Sequence, residues 1–116
     1  MELVAYLGED KENWGQITAL VRRGQWDKII LVKDKKISET PMPAEIVDVD
    51  ANNPLLEMKN DLLEKLKKKL GGSFEVALSL ASGNGKEHMA LISALLNLPV
   101  GIKLVVYTKE GVQFIT

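Results

Sequence analysis

The residues best suited to chemistry form a short polar loop, Ser82-Gly83-Asn84-Gly85-Lys86, which leads directly into an apolar run. Its glycines allow the backbone to approach a ligand closely, and the free N–H groups at the start of a helix favour an anion. A lysine in the first turn of a helix is locally unfavourable, because that end carries partial positive charge. A bound phosphate would supply the negative charge that the position of Lys86 lacks, so the loop predicts an anion site.

The same loop has a purely structural interpretation. Ser82 and Asn84 are residue types that cap helices, and Glu87 in the first turn could offset the charge of Lys86. Glycines before a helix often serve only to shape a tight turn. Anion binding and turn-and-cap formation therefore both stay open at this stage.

The established phosphate-binding motifs do not match. A Walker loop requires glycine where Leu80 stands and serine or threonine where Glu87 stands. The dinucleotide fingerprint fits Gly83 and Gly85, but His88 replaces its third glycine. We therefore reject Walker-type ATP hydrolysis and expect neither a nicotinamide nor any other cofactor.

His88 is the only histidine, and the chain has no cysteine. No carboxylate near His88 has ligand spacing, so no metal site is predicted. A lone histidine here fits a helix-surface or interface residue, with ligand contact or acid–base work as the other interpretation. The lack of cysteine excludes disulfides, thiolate metal sites and a cysteine nucleophile.

Two groups of carboxylates lie where strands are expected to end. Glu9, Asp10 and Glu12 follow the first strand, and Asp48 and Asp50 alternate along the third. They could position a ligand or a metal ion. Solvated turns and local capping are the interpretation that we favour for both groups.

The elements that would position these residues alternate between strand and helix. Apolar runs predict strands over residues 2–7, 28–33, 44–49, 74–81, 102–108 and 112–116. Helical spacing predicts helices over residues 13–23, from an Asn53 cap and first-turn Pro54 to Leu70, and from the polar loop to Asn97. Residues 34–43 contain two prolines and no helical period, so they are predicted to form a loop.

This order predicts an α/β fold with a Rossmann-like, mainly parallel sheet in the strand order 3-2-1-4-5-6. Helices would cover both faces, and a C-terminal antiparallel hairpin would complete the sheet. We expect a single domain over residues 1–116. Ligands of such sheets bind beyond the carboxyl ends of the strands, where the order reverses, and the loops after the first and fourth strands would meet there.

Composition limits the partners. The formal net charge is −1, which provides no global basic signal for duplex nucleic acid or an acidic membrane. No stretch approaches the roughly 18 apolar residues of a membrane helix, and the N-terminus does not read as a signal peptide. We expect a cytoplasmic protein, and the many lysines and glutamates without cysteine are compatible with a thermophile.

The helix over residues 88–96 has almost no polar face. An ordinary surface helix shows an apolar stripe of about 100°. Either the sheet and a neighbouring element cover this helix on both sides, or the helix packs against a second subunit. A chain of 116 residues has little protein left for such a cover. We therefore expect a homodimer formed through the 88–96 helix, since twofold dimers are the commonest oligomers.

Taken together, these segments resemble a CARF domain, the CRISPR-associated Rossmann fold. The resemblance covers nearly the whole chain. It is carried by the first strand and turn (4–13), the second strand (26–34), the fourth strand with its Gly-rich turn and apolar helix (76–96), and the final hairpin (102–115).

The resemblance implies a dimer that binds a cyclic oligoadenylate, or a similar phosphate ligand, across its twofold axis in antiviral defence. Family members that cleave the ring use the ribose 2′-hydroxyl as nucleophile without a metal, and a lysine, matched here by Lys86, stabilises the developing charge. The domain could thus be a sensor, a sink or a slow ring nuclease. The ligand-binding positions that we predict are Gly8, Glu9, Asp10, Ser82, Gly83, Asn84, Gly85, Lys86 and His88.

Two other functions stay open. One is a structural or interaction module whose Rossmann-like sheet binds no ligand and has no catalytic activity. The other is a small phosphotransfer enzyme, against which the lack of a predicted metal site argues.

Overall fold

Apolar runs rich in valine, isoleucine and leucine form the strands of one sheet. The computed structural model describes all 116 residues. Its strands are Glu2–Leu7 (β1), Lys28–Asp34 (β2), Glu45–Val49 (β3), Glu75–Ser79 (β4), Gly101–Thr108 (β5) and Gly111–Phe114 (β6). The strand order is β3-β2-β1-β4-β5-β6, in which the first five strands pair in parallel and β6 pairs antiparallel with β5. The predicted fold class is confirmed.

Three α-helices cover the two faces of the sheet, and a short 3-10 helix, Lys11–Asn13, precedes the first of them. The α-helices are Trp14–Arg23 (α1), Leu55–Leu70 (α2) and Gly85–Leu96 (α3). The buried stripes of α2 and α3 share one apolar cluster on one face, and Trp14, Ile17 and Leu20 of α1 pack on the other. None of these helices combines the length and the apolar character needed to span a bilayer.

β1 is the central strand and is buried from Leu3 to Leu7. Because side chains alternate between the faces of a strand, Val4 and Tyr6 point towards α2 and α3 while Ala5 and Leu7 point towards α1. This alternation places the Tyr6 side chain beneath the start of α3.

The loop predicted over residues 34–43 is present between β2 and β3, apart from Asp34, which ends β2. Ile37 and Met42 are half-buried and pack against the α1 side of the sheet. An irregular segment thus covers the part of that face that α1 does not reach.

Several predicted boundaries were off by one residue, the ends of β4 and β6 were off by two, with β6 ending at Phe114 rather than residue 116, and the predicted cap of α2 was wrong. Asn53 does not cap α2; Pro54 occupies the N-cap position with φ −55° and ψ 152°, and its carbonyl accepts the hydrogen bond from Met58 N–H. The fixed φ of proline suits either position, so the sequence alone did not separate them. β4 ends at Ser79 rather than residue 81, because its ladder with β1 stops at the pair Ala5–Ser79 and the chain then bends through residues 81–83.

Candidate functional site

The strand order reverses between β1 and β4, and the loops that follow these two strands meet there. A cleft of about 420 Å³ opens at this point. Its lining comes from the ends of β1, β2, β3 and β4, and consists of Glu9, Asp10, Asp34, Ala51, Asn52, Gly83, Asn84 and Glu87. The predicted meeting of the two loops is therefore present.

Ser82 joins the two loops and is fully buried. Its hydroxyl accepts from the N–H of Gly8 at 2.8 Å and donates to Asp10 Oδ1 at 2.6 Å. The same Oδ1 accepts from the N–H of Gly83 at 3.0 Å. The carboxylate of Asp10 therefore occupies an N–H group that an anionic ligand could otherwise use.

His88 fixes the loop from the other side. Its Nε2 lies 2.7 Å from the carbonyl oxygen of Ser82. Because a carbonyl oxygen only accepts, Nε2 carries the proton. The ring also meets Tyr6 edge-on, with centroids 6.5 Å apart. These contacts give His88 a positioning role in the loop.

Gly8 and Gly83 allow the two loops to touch. A Cβ atom at Gly8 would lie 2.6 Å from the Cα of Gly83, which no real contact tolerates. Gly83 has φ +103°, a conformation that residues with a side chain rarely adopt. Of the two glycines predicted to approach a ligand, Gly83 instead approaches the protein's own Gly8, and Gly85 has open space beside it.

Asn84 and Glu87 form a capping box at the start of α3. Asn84 Oδ1 accepts from the N–H of Glu87 at 2.9 Å, and Glu87 Oε1 accepts from the N–H of Asn84 at 2.8 Å. The capping interpretation is thus confirmed for Asn84. Glu87 Oε2 accepts from the hydroxyl of Tyr6 at 2.9 Å, so the cap also ties α3 to the central strand.

The cleft is electrically negative. Burial raises the pKa of the Tyr6 phenol far above its usual value, and the charges of Glu87, Asp34 and Glu9 raise it further. Tyr6 therefore remains a neutral donor to Glu87. No cationic side chain is among the lining residues, and no three His, Asp or Glu side chains are arranged to hold a metal ion.

Asp10 keeps its charge despite partial burial. Burial alone would raise the pKa of its carboxyl group, but hydrogen bonds from Ser82, Asn13 and the N–H of Gly83 outweigh that effect. The net result is a pKa below the ordinary aspartate value. The charged carboxylate therefore stabilises the folded state at any pH above the pKa that Asp10 has in the unfolded chain. This stabilisation disappears as the pH falls through the pKa of Asp10 in the folded state.

We expect the stability lost in Asp10→Asn to depend on pH. At neutral pH the variant should unfold at lower urea concentration than the wild type, because the charged acceptor of Ser82 and Gly83 is gone. The difference should shrink as the pH falls through the pKa of Asp10, since the wild type then loses the same charge. Urea unfolding at a series of pH values measures this, and a gap that does not change with pH would contradict it.

Lys86 reaches across the rim of the site. It is half-buried, and its Nζ donates to the carbonyl of Ala51, just beyond β3, at 2.8 Å. Gly85 beside it is exposed, and nothing lies within 4 Å of a Cβ built there. The backbone N–H groups of Gly85 and Lys86 donate to no group of the chain. They are the open donors at the start of α3.

The remaining predicted ligand position, Glu9, is exposed and lines the cleft. The acidic residues of the third strand behave as expected for solvation and capping. Asp48 pairs with Lys33, whereas Asp50 accepts from the N–H of Asn52 and pairs with Lys35.

Three polar residues that line the cleft were not predicted to do so: Asp34, Asn52 and Glu87. Asp34 ends β2 and is 5% exposed. A usable signal existed, because β2 neighbours β1 in the predicted order and its carboxyl end must face the same edge. Asn52 carried no such signal, since its place depends on the turn after β3.

The outer side of α3 carries three large apolar residues beside the half-buried Ser93. Met89 is 60% exposed and Leu96 70% exposed, while Ile92 between them is half-buried. These three residues, which we call the α3 stripe, recur at helical spacing on one side. The opposite side, with Ala90, Leu91, Ala94 and Leu95, is buried in the core.

No family model, curated protein or solved structure matches this chain. We therefore infer the function from the residues of the cleft and of the α3 stripe.

Proposed function

We propose that this chain is a cytoplasmic CARF-like domain whose homodimer binds a cyclic oligoadenylate, or a similar nucleotide ligand, at the switch-point cleft. The observation that carries the proposal is the position of the cleft. It lies where the strand order reverses, and its rim holds the open N–H groups of Gly85 and Lys86 at the start of α3. Both features are typical of nucleotide sites in Rossmann-like sheets.

The parts of such a ligand would meet different parts of the site. A phosphate fits the N–H groups of Gly85 and Lys86, and the ammonium group of Lys86 can exchange the Ala51 carbonyl for a charged oxygen. The carboxylates of the cleft accept hydrogen bonds, so they suit ribose hydroxyls and the adenine amino group. This division keeps phosphates at the rim and away from the negative interior.

The α3 stripe supports a dimer. A twofold axis beside α3 would bury Met89, Ile92 and Leu96 against their copies and bring two sites to one interface. A ring with repeated phosphates and adenosines suits a site that is itself repeated.

We expect Met89→Glu combined with Leu96→Glu to convert the dimer to a monomer, because four buried charges would face one another across the axis. Size-exclusion chromatography with light scattering measures the mass. Phe74→Glu, at a residue that is 87% exposed beyond the opposite ends of the strands, is the control and should remain dimeric. A monomeric wild type, or a double variant that remains dimeric, would contradict the proposed interface.

Slow cleavage is the catalytic form of the same proposal. The 2′-oxygen of a ribose attacks the adjacent phosphorus and loses its proton, and the 5′-oxygen of the next nucleoside leaves and takes up a proton. The products are a 2′,3′-cyclic phosphate and a 5′-hydroxyl. The ammonium group of Lys86 stabilises the extra negative charge on the phosphate during the attack.

A thermal-shift screen with cyclic tri-, tetra- and hexa-adenylate tests the binding. A ring at 100 times its dissociation constant should add about 2.7 kcal/mol to the free energy of unfolding. Lys86→Ala should lose most of this gain, whereas Lys109→Ala, on the exposed hairpin turn, should keep it. If no ring raises the melting temperature, the binding proposal fails; if both lysine variants respond alike, Lys86 is not the contact.

A second candidate is an interaction module that binds no ligand. It is favoured because two N–H groups near the start of α3 already donate to carboxylates of the protein itself. The N–H of Gly83 donates to Asp10, and the N–H of Asn84 donates to Glu87. The same screen separates the two candidates, since the module predicts no response to any ring.

A further inference from the structure

β3 forms one edge of the sheet, and part of its backbone has no strand to pair with. The carbonyl of Val49 accepts from the N–H of Lys35, so Val49 and every second residue before it in β3 face β2. The N–H and carbonyl groups of Ile46 and Asp48 therefore point away from the sheet. The carbonyl of Asp48 accepts from Nζ of Lys65 at 2.6 Å, and the other three groups are open.

A groove of about 520 Å³ lies along this edge, between β3 and α2. Four lysines line it beside residues 45–48: Lys28, Lys65, Lys68 and Lys69. Its two carboxylates, Glu45 and Asp48, each pair with a lysine. Lys28 only donates to a backbone carbonyl, at 2.9 Å, and Lys68 is exposed without a partner. The groove thus holds two cations that no carboxylate of the chain neutralises.

An added peptide strand suits this edge better than other anionic partners do. A peptide offers N–H and carbonyl groups at strand spacing, whereas phosphates only accept and would leave the carbonyl of Ile46 without a donor. A second copy of this chain is disfavoured, because β3 paired with its own copy would bring two sets of lysines together. The partner that fits is an extended segment of another protein.

The two faces of β3 determine which side chains that segment should carry. On the α2 side, Glu45 and Val47 lie beside the lysines of the groove. On the α1 side, Ile46 packs with Ile37 and Met42 against an apolar cluster. The side chains of an added strand would alternate between the same two faces. Acidic side chains would then meet the lysines, and apolar side chains would extend the surface around Ile46.

We propose that the open edge of β3 binds an extended segment of a partner protein as a seventh strand, and that this segment alternates acidic with apolar residues. Backbone hydrogen bonds to Ile46 and Asp48 hold the segment, and the lysines of the groove select its charge. The groove shares no residue with the cleft at the switch point, so this binding does not depend on a nucleotide.

Isothermal titration of the whole chain with a synthetic peptide of about eight residues that alternates glutamate with valine tests the proposal. Binding should weaken as the salt concentration rises, because exposed charges are screened. The matched probe alternates lysine with valine, and it should bind about tenfold or more weakly.

Two pairs of variants separate the backbone from the charge. Ile46→Pro removes one outward N–H and should weaken the acidic peptide about tenfold or more, since proline is tolerated where an edge N–H faces solvent. Ile46→Val keeps that N–H and should bind within about twofold of the wild type. Lys68→Glu should weaken the peptide about fivefold, whereas Lys109→Glu, on the exposed hairpin turn, should not.

Amide hydrogen exchange of the wild type needs no variant, so it stands even if Ile46→Pro folds poorly. The bound peptide should slow exchange more at Ile46 and Asp48 than at Val47 and Val49, which already face β2. No binding of the acidic peptide at about 1 mM, equal binding of the two peptides, or protection without this alternation would overturn the proposal. Tighter binding of oligothymidylate than of the peptide would also overturn it and make the groove a nucleic-acid surface.

Discussion

Gly8→Ala should lower the free energy of unfolding by about 3 kcal/mol or more. The new Cβ would lie 2.6 Å from the Cα and 2.7 Å from the N of Gly83, and neither backbone atom can move without parting the two loops. Parting them breaks the hydrogen bonds that Ser82 and Asp10 make across the junction. Urea unfolding followed by circular dichroism measures the loss, which should also lower the melting temperature by on the order of 10 °C.

Gly15 provides the matched control for Gly8. It lies in the first turn of α1, and nothing lies within 4 Å of a Cβ built there. Gly15→Ala should therefore stabilise the protein by roughly 0.5–1 kcal/mol through higher helix propensity. If Gly8→Ala were as mild as Gly15→Ala, the loops would not be in the close contact described.

Glu87→Ala should lower the free energy of unfolding by roughly 2–4 kcal/mol. The substitution removes one half of the capping box and leaves the N–H of Asn84 without its acceptor. It also leaves the Tyr6 hydroxyl, in a fully buried side chain, without the oxygen to which it donates. A buried donor without an acceptor has lost its hydration and gained nothing in return. We expect this loss at the Tyr6 hydroxyl to account for the larger share of the destabilisation.

A double-mutant cycle separates the two contributions. Tyr6→Phe removes the buried donor and leaves the cap, so Glu87→Ala in that background should cost about 1 kcal/mol, the usual value of a cap. Glu87→Gln keeps the length of the side chain and an amide oxygen for Asn84, and should be milder than Glu87→Ala. Additive effects of Tyr6→Phe and Glu87→Ala would show that the bond between the two side chains does not contribute.

The sheet could be predicted from sequence because its central strands are apolar on both faces. A run such as residues 28–33 is buried when it forms a strand whose sheet is covered on both faces. The helices that connect successive strands then indicate parallel pairing. The errors fell at the ends of elements, where the apolar pattern gives no signal. Pro54 rather than Asn53 precedes α2, and β4 ends at Ser79.

The place of the site was predictable, but its electrostatics were not. The reversal of the strand order brings the loops after β1 and β4 together, whatever their side chains. Asp10 bonds to Ser82 and Gly83, which lie more than 70 residues away in the chain. No local sequence pattern indicates such a contact. Asp34 was missed because it begins a charged run, Asp34-Lys35-Lys36, that is typical of a solvated loop.

Titration of ¹⁵N-labelled protein with cyclic tetra-adenylate, and with the tri- and hexa-adenylate rings in parallel, tests the central claim most directly. We expect one ring to shift the backbone amide signals of Gly85 and Lys86, and those of residues 8–10 and 34, with one dissociation constant. Amides on the far end of the sheet, such as that of Phe74, should not move. Spectra unchanged by every ring, or shifts confined to residues outside the cleft, would contradict a nucleotide site at the switch point.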